Sequence, residues 1–310
     1  MRSVGAGTQL AQSDPLGYLR PMQAGNPAVI SVIGSDQKGI VARVSTYLAA
    51  HNVNIQNIEQ SVMEGLFIMT MLVDLADLTA SLDQLILDLK EMGRETQVEI
   101  TVRLHGDRTR KRVAVLVSRE PHCLESIARA HRDGSLDADL AVVLSNHQTL
   151  APLAEQFNIP FRFHPSDDKA AHFRFLLREL HDARVDLVVL ARYMQILPPE
   201  VVQAFSNHIL NIHPSLLPYY PGANAYRQAY EAGVKVCGCT AHFVTEDLDQ
   251  GPVVLQDVFH IAVGEDTLDD VKRRGQELEA DVLTRAVQMY VRDELVVADS
   301  KVLFRPGRLA

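Results

Sequence analysis

Asn211 and His213 occupy alternate positions where an apolar run, "HILNIH", enters the proline-rich stretch "PSLLPYYPGANAY". Residues two apart share one face of a strand, so both polar side chains point the same way. Pro214, Pro218 and Pro221 forbid a continuous helix or an inner strand and stiffen the loop that follows. Downstream, "VTEDLDQGP" places Asp247 and Asp249 in an acidic loop between two β-rich runs. An Asn amide and a protonated His can donate to a developing oxyanion. An Asp can hold the imidazolium and a water, or accept a proton. Together they can run acyl chemistry without a protein nucleophile. Taken singly, the same residues also fit an ordinary capped loop, because Asn and Asp are common in turns.

Two different periodicities must position these residues. Ala28 to Ile33 reads as a β-branched strand, and "GSDQKG" breaks it. Ile40, Val44, Tyr47 and Leu48 then form a helical stripe. Ile55 to Met63 and Leu66 to Val73 flank Glu64-Gly65, a hairpin signal. A second helix carries Leu82, Leu85, Ile86 and Leu89, and a last strand runs from Gln97 to Leu104. The order βαββαβ predicts a ferredoxin-like unit. From Val113 onward, apolar strands alternate with helices, ending in "DLVVLA", the "PPEVVQAF" helix and "HILNIH". That pattern predicts a Rossmann-like, mainly parallel sheet covered on both faces. Ligands of such sheets bind beyond the carboxyl ends of the strands, where Asn211 and His213 lie. The two β-rich runs around the acidic loop predict an antiparallel hairpin at the sheet's edge. The expected organisation is a flexible tail over 1–26, a small domain over 27–105, a polar linker over 106–111 and a catalytic domain over 112–310.

Composition narrows the function classes. A net charge of −9 argues against a general nucleic-acid binder, which needs a basic surface. No apolar stretch approaches membrane-spanning length. The tail lacks the apolar core of a secretion signal and has only Arg2 and Arg20 as cations, so a cytoplasmic protein is expected. Three cysteines suggest a reducing compartment, and Cys237-x-Cys239 lacks the second pair a zinc site needs. "GSDQKG" has the spacing of a phosphate loop, but Ile40 and Val41 stand where Lys and Ser or Thr are required. No metal and no cofactor are expected.

The string "NIHPSLLP", the Gly-Ala after it and "GCTAHFVTEDLDQGP" together resemble the folate-dependent formyltransferase family over about forty residues. The resemblance implies a catalytic trio of Asn211, His213 and Asp249. The βαββαβ unit with "DQKG" in its first turn resembles an ACT regulatory domain. ACT followed by formyltransferase is the architecture of that family's deformylase branch, as are "HCL" at 122–124 and "LARYMQIL". Glycinamide ribonucleotide transformylases carry a Gly/Ser-rich phosphate cradle after the first strand. Here "SREPHCL" fills that place, and its Glu and Pro remove the anion-friendly character. One local departure is "GANAY", where Ala225 replaces the proline usual in deformylases.

The resemblance implies hydrolysis of 10-formyltetrahydrofolate to tetrahydrofolate and formate, which regulates the folate pool and supplies formate for purine synthesis. It also implies a pteridine pocket of Met194, Gln195, Ile196 and Leu197 with the backbone of Thr245, Glu246 and Asp247. Gly222 and His242 would shape the site. Two alternatives remain: formyl transfer to an amine, or a non-catalytic folate or amino-acid sensor. In the small domain, Gly39 permits close backbone approach at a helix start and Asp36 can meet an ammonium group. An amino-acid effector, glycine or methionine by the resemblance, is therefore expected near Asp36, Gly39 and Asn54. A homo-oligomer is expected as well.

Overall fold

The computed structural model describes residues 26–104, 110–219, 224–298 and 300–305. The chain divides between residues 108 and 109 into two compact units. In the first, the strands are β1 (Pro27–Ser35), β2 (Asn54–Met63), β3 (Leu66–Asp74) and β4 (Val98–Leu104), and the helices are α1 (Ile40–Ala50) and α2 (Leu82–Glu95). The sheet order is β2-β3-β1-β4, antiparallel throughout. This is the ferredoxin-like arrangement that the periodicity predicts. Glu64 and Gly65 both take positive φ in the β2–β3 turn, as a two-residue hairpin matched to strand twist demands. Ile30, Val32, Met69 and Met71 from the strands pack with Val44, Leu48, Leu85 and Leu89 from the helices, all fully or almost fully buried.

The second unit opens with β5 (Lys111–Val117), α3 (His122–Arg132), β6 (Ala138–Ser145), α4 (Ala151–Gln156) and β7 (Phe161–Phe163). It continues with α5 (Lys169–Asp182), β8 (Leu187–Ala191), α6 (Pro199–Ala204), β9 (Ile209–His213) and α7 (Ala225–Glu231). It closes with β10 (Val236–Phe243), β11 (Val253–His260), α8 (Leu268–Val291), β12 (Leu295–Ala298) and β13 (Lys301–Phe304). Seven strands form one sheet in the order β11-β10-β9-β8-β5-β6-β7. Strands β5 to β9 are parallel, and β10 and β11 add an antiparallel hairpin at one edge.

Helices cover both faces, which is why β5 and β8 are apolar at nearly every position. One cluster joins Val115, Leu124, Ile127, Leu283 and Val287 under α3 and α8. The other joins Leu116, Leu176, Leu180, Val188, Tyr193 and Leu197 with α5 and α6. The element reading of the sequence stopped at the edge hairpin, so α7, α8 and the β12–β13 hairpin are findings of the structure. The capping box of Thr267 and Asp270 starts α8, which runs for 24 residues. The expected tail lies outside the described residues apart from Asn26, and so does most of the expected linker. Lys111, placed in that linker, already belongs to β5.

Candidate active site

Strand β9 delivers Asn211 and His213 to the carboxyl edge of the sheet, and β10 lies antiparallel beside it. The register sets His242 directly opposite Asn211. The Asn211 amide Nδ2 donates to His242 Nε2 at 3.1 Å, while His242 Nδ1 bonds the carbonyl of Phe243 at 2.9 Å. With Nδ1 donating to that carbonyl, Nε2 is the acceptor and the ring is neutral. Burial agrees, holding the imidazole below its ordinary pKa.

Asp249 reaches the same point from the loop between β10 and β11. Its Oδ2 lies 3.3 Å from His213 Nδ1, and its Oδ1 lies 3.8 Å from His242 Nε2. Its backbone sits at φ 56, in the left-handed region that a side chain disfavours. The loop is pinned where Phe243 N donates to Pro252 O at 2.9 Å. Gly251 makes that closure possible, because a Cβ there would stand 1.7 Å from the Phe243 carbonyl oxygen.

The stiff loop after β9 is held by two residues that the sequence reading passed over. The hydroxyl of Thr240, fully buried on β10, donates to Ser215 O at 2.7 Å and accepts from Leu217 N at 3.1 Å. Gln256 on β11 reaches the same hydroxyl at 2.9 Å and Leu217 O at 3.2 Å. Alternation in a strand marks such inward positions, but nothing local marks their partners.

Asn211, His213, His242 and Asp249 line a cavity of about 590 Å³. Met194, Gln195, Ile196, Leu197, Thr245 and Glu246 line it too, as expected. Met194, Ile196 and Leu248 are exposed at its mouth by 59%, 71% and 57%, an apolar rim open to a flat ring system. Asp247 departs from the expectation: it is exposed and does not line the cavity, and its carbonyl accepts from Thr245 Oγ1 at 3.1 Å in the exposed loop. Gly222 lies outside the described residues.

Tyr193 anchors the 192–197 segment through a bond from its hydroxyl to the buried His172. Met194 N donates to Ser118 Oγ at 3.0 Å, tying the segment to the loop after β5.

Residues 111–287 match the formyl transferase family and residues 26–103 the ACT domain family. A formyltetrahydrofolate deformylase of Bacillus subtilis is 38% identical over 273 residues, covering 86% of this chain and 90% of its own. This chain belongs to the formyltetrahydrofolate deformylase family. A crystal structure of a deformylase from Pseudomonas syringae superposes with a TM-score of 0.82 at 34% identity, covering 92% of this chain and 96% of that one. A glycinamide ribonucleotide transformylase from Symbiobacterium toebii shares 36% identity with a TM-score of 0.60, but covers only 63% of this chain and 94% of its own.

Sequence reasoning missed the far side of the cavity. Lys272, Gln276 and Glu279 of α8 line it at spacings of four and three, one face of a helix. That spacing was a usable signal. Glu120, in the loop after β5, accepts from Gln276 Nε2 at 3.1 Å. Glu279 is 1% exposed, receives His122 Nε2 at 3.1 Å and faces Arg192 Nε at 3.5 Å. His122, Cys123 and Glu279 bring potential ligand atoms within 4.8 Å of one another. Two features disfavour a cation there. Burial holds the Cys123 thiol protonated, with a pKa pushed well up, and Arg192 already supplies positive charge to the carboxylate.

In the N-terminal unit the three expected effector residues do not converge, which corrects the proposed grouping. Asp36 and Gly39 follow the carboxyl end of β1, where Asp36 N donates to Gly65 O at 2.8 Å. Asn54 pairs with Asp74, which pairs with Pro27 at the opposite end of β1. Eight residue steps of strand separate the two ends, roughly 26 Å at strand rise.

Proposed function

We infer that this chain hydrolyses 10-formyltetrahydrofolate to tetrahydrofolate and formate. The observation that carries this reading is the contact of Asp249 with His213 beside Asn211, in a cavity with an apolar mouth. The pteridine lies against residues 194–197. Asp249 accepts a proton from a water whose oxygen adds to the formyl carbon. His213, oriented by its contact with Asp249, and the Asn211 amide donate to the oxyanion that forms. The carbon–nitrogen bond to N10 then breaks, and N10 takes up a proton as it leaves. Formate and tetrahydrofolate result, with no change of oxidation state and no call on a metal or redox cofactor. Glu120 stands where a transferase would need donors for an anionic acceptor, and this favours water.

The test is to mix the purified chain, dialysed against EDTA, with 10-formyltetrahydrofolate in the absence of any amine. Formate and tetrahydrofolate should appear in equal amounts. Formate release that needs an amine or an added metal overturns the reading.

The ACT unit is proposed to bind a small amino acid, glycine or methionine, at the Asp36–Gly39 end, where Gly39 takes φ 93 with open space beside it. A homo-oligomer formed through the β2 edge, where Ile58 and Val62 are 42% and 53% exposed, belongs to the same proposal. Among the described residues no helix is long and apolar enough to cross a membrane. Cys123, Cys237 and Cys239 are buried free thiols, which fits a reducing cytoplasm.

A further inference from the structure

The cavity has two unlike ends. Its apolar end, with Tyr193 and Leu197, belongs to the core on the α5–α6 face of the sheet. Its charged end is formed by α8, which packs with α3 on the opposite face. Water can reach a formyl carbon between them without occupying either. An amine acceptor with a body of its own needs room at the charged end, because the folate takes the other.

Arg192 stands at that boundary. It lies two residues beyond Leu190, the strand partner of Asn211, and so is level with the trio. Its φ of 60 is in the left-handed region, where glycine is the ordinary occupant and a long side chain is strained. The conformation persists with the side chain lining the cavity and its Nε 3.5 Å from Glu279 Oε2. This is an ion-pair contact rather than a hydrogen bond, since Arg192 Nε has no hydrogen-bond partner. The Glu279 carboxylate is in turn fixed by His122 Nε2 at 3.1 Å. Beside it, the Glu120–Gln276 hydrogen bond ties the loop after β5 to α8.

We propose that the Arg192–Glu279 pair is the specificity-determining element that narrows the acceptor end of the cavity and reserves the formyl group for water. The strained arginine is thereby explained: its side chain walls the end of the cavity that an amine substrate would need, and Glu279 keeps it there. The inference rests on the hydrolase reading above. Without the pair, an amine nitrogen bonds to the formyl carbon, the bond to N10 breaks, and the amine's proton passes to N10. Tetrahydrofolate and a formamide are the products.

The experiment mixes the full chain with 10-formyltetrahydrofolate and glycinamide, and reads the ratio of N-formylglycinamide to formate. The parent should give formate almost alone. Arg192→Gly, which removes that wall and relieves the backbone, should raise the ratio by about tenfold or more, the scale on which filling a pocket discriminates substrates. Arg192→Ser should do the same, and Arg192→Lys, which keeps a long cation facing Glu279, should stay near the parent. Folding of each variant is checked by its melting curve. A ratio within about twofold of the parent in both Gly and Ser variants overturns the proposal, since such a change is too small for a removed barrier. So does failure of both variants to fold, because the pair would then serve the fold and not the acceptor. A parent that releases no formate without glycinamide overturns instead the hydrolase reading on which this rests.

Discussion

One carboxylate lies beside two imidazoles: Asp249 holds Oδ2 at 3.3 Å from His213 Nδ1 and Oδ1 at 3.8 Å from His242 Nε2. The two rings are not equivalent. Burial keeps His242 neutral although its bond to the Phe243 carbonyl and the nearby Asp249 pull the other way, and the shorter contact of Asp249 is the one to His213. Asp249→Asn is nearly isosteric and should leave the cavity able to bind folate. Turnover should fall by ~10²–10⁴-fold, the usual worth of general-base assistance. Steady-state rates and a folate-binding titration check this. A mutant within about threefold of the parent, far below that range, would make Asp249 structural. His213→Ala should lose a comparable amount through the oxyanion, on the order of 3 kcal/mol.

His242 is expected to act through Asn211. Its Nε2 accepts one amide hydrogen and fixes which way the amide faces, leaving the other hydrogen for the formyl oxygen. Asn211→Ala should cost ~10²–10³-fold in kcat, as loss of one oxyanion donor does. His242→Gln, which retains an acceptor, should cost less than His242→Ala. Equal losses in the two His242 variants, with intact folding, would mean that the ring only fills space.

The candidate trio was legible through the family resemblance of its two motifs, which alone singled out Asp249 from Asp247. Asn211 and His213 share a strand face, and Asp249 follows in the loop that the next strand must make. The βαββαβ order was legible because each element announces its own period. Sheet register is different. Periodicity tells which face Asn54 occupies but not which end of β1 it meets, and only the β2–β3–β1 pairing shows that it lies far from Asp36. Asp247 was expected in the pocket through its backbone by the resemblance, and the direction a tight loop gives each residue is not written in the sequence. Glu279 escaped notice because it comes from a helix 66 positions beyond His213, and only the fold brings α8 over the trio.

Thr240 should be costly to alter although it touches no substrate. Thr240→Val keeps the shape of the side chain and strips the hydroxyl from Ser215 O, Leu217 N and Gln256 Nε2. Leaving buried partners unsatisfied costs about 1–3 kcal/mol. Thermal and denaturant unfolding should show the loss, and turnover should fall because the loop after His213 loosens. An unchanged melting temperature would remove Thr240 from the support of that loop.

Stability should rise as the pH rises toward about 6.5 through the buried histidines, whose ordinary pKa lies near that value. Burial lowers the pKa of His172 and His242 below the ordinary value of 6.5. The unfolded chain therefore binds more protons than the native one just below 6.5, and stability is lost as the pH falls through that value. It is fully present above it. Asp257, Asp266 and Asp270, lowered from 3.8 by hydrogen bonds, contribute above that pH and lose their effect only when it falls further, outside the histidine window. Melting temperatures measured at pH 7.5 and 5.5 should differ in that sense, and His172→Gln should shrink the difference. A higher melting temperature at the lower pH reverses the sign and defeats the argument.

The N-terminal unit offers a prediction whose outcome depends on register. An amino acid bound at the turn after β1 would meet the Asp36 carboxylate with its ammonium group, and the backbone at Gly39 with its carboxylate. Coupling between such a site and turnover is typically ~1–3 kcal/mol, or about 5–150-fold. Titrating the twenty amino acids against formate release should find one that shifts the rate at millimolar concentration, and Asp36→Ala should abolish the shift. Asn54→Ala should leave it intact, since within one chain Asn54 sits beside Asp74 and Pro27 at the other end of the sheet. If Asn54→Ala abolishes the response as well, the two ends must meet between two copies of the chain, and light scattering should then show a concentration-dependent dimer. If no amino acid changes turnover or melting temperature, the regulatory proposal fails and the unit serves only to hold subunits together.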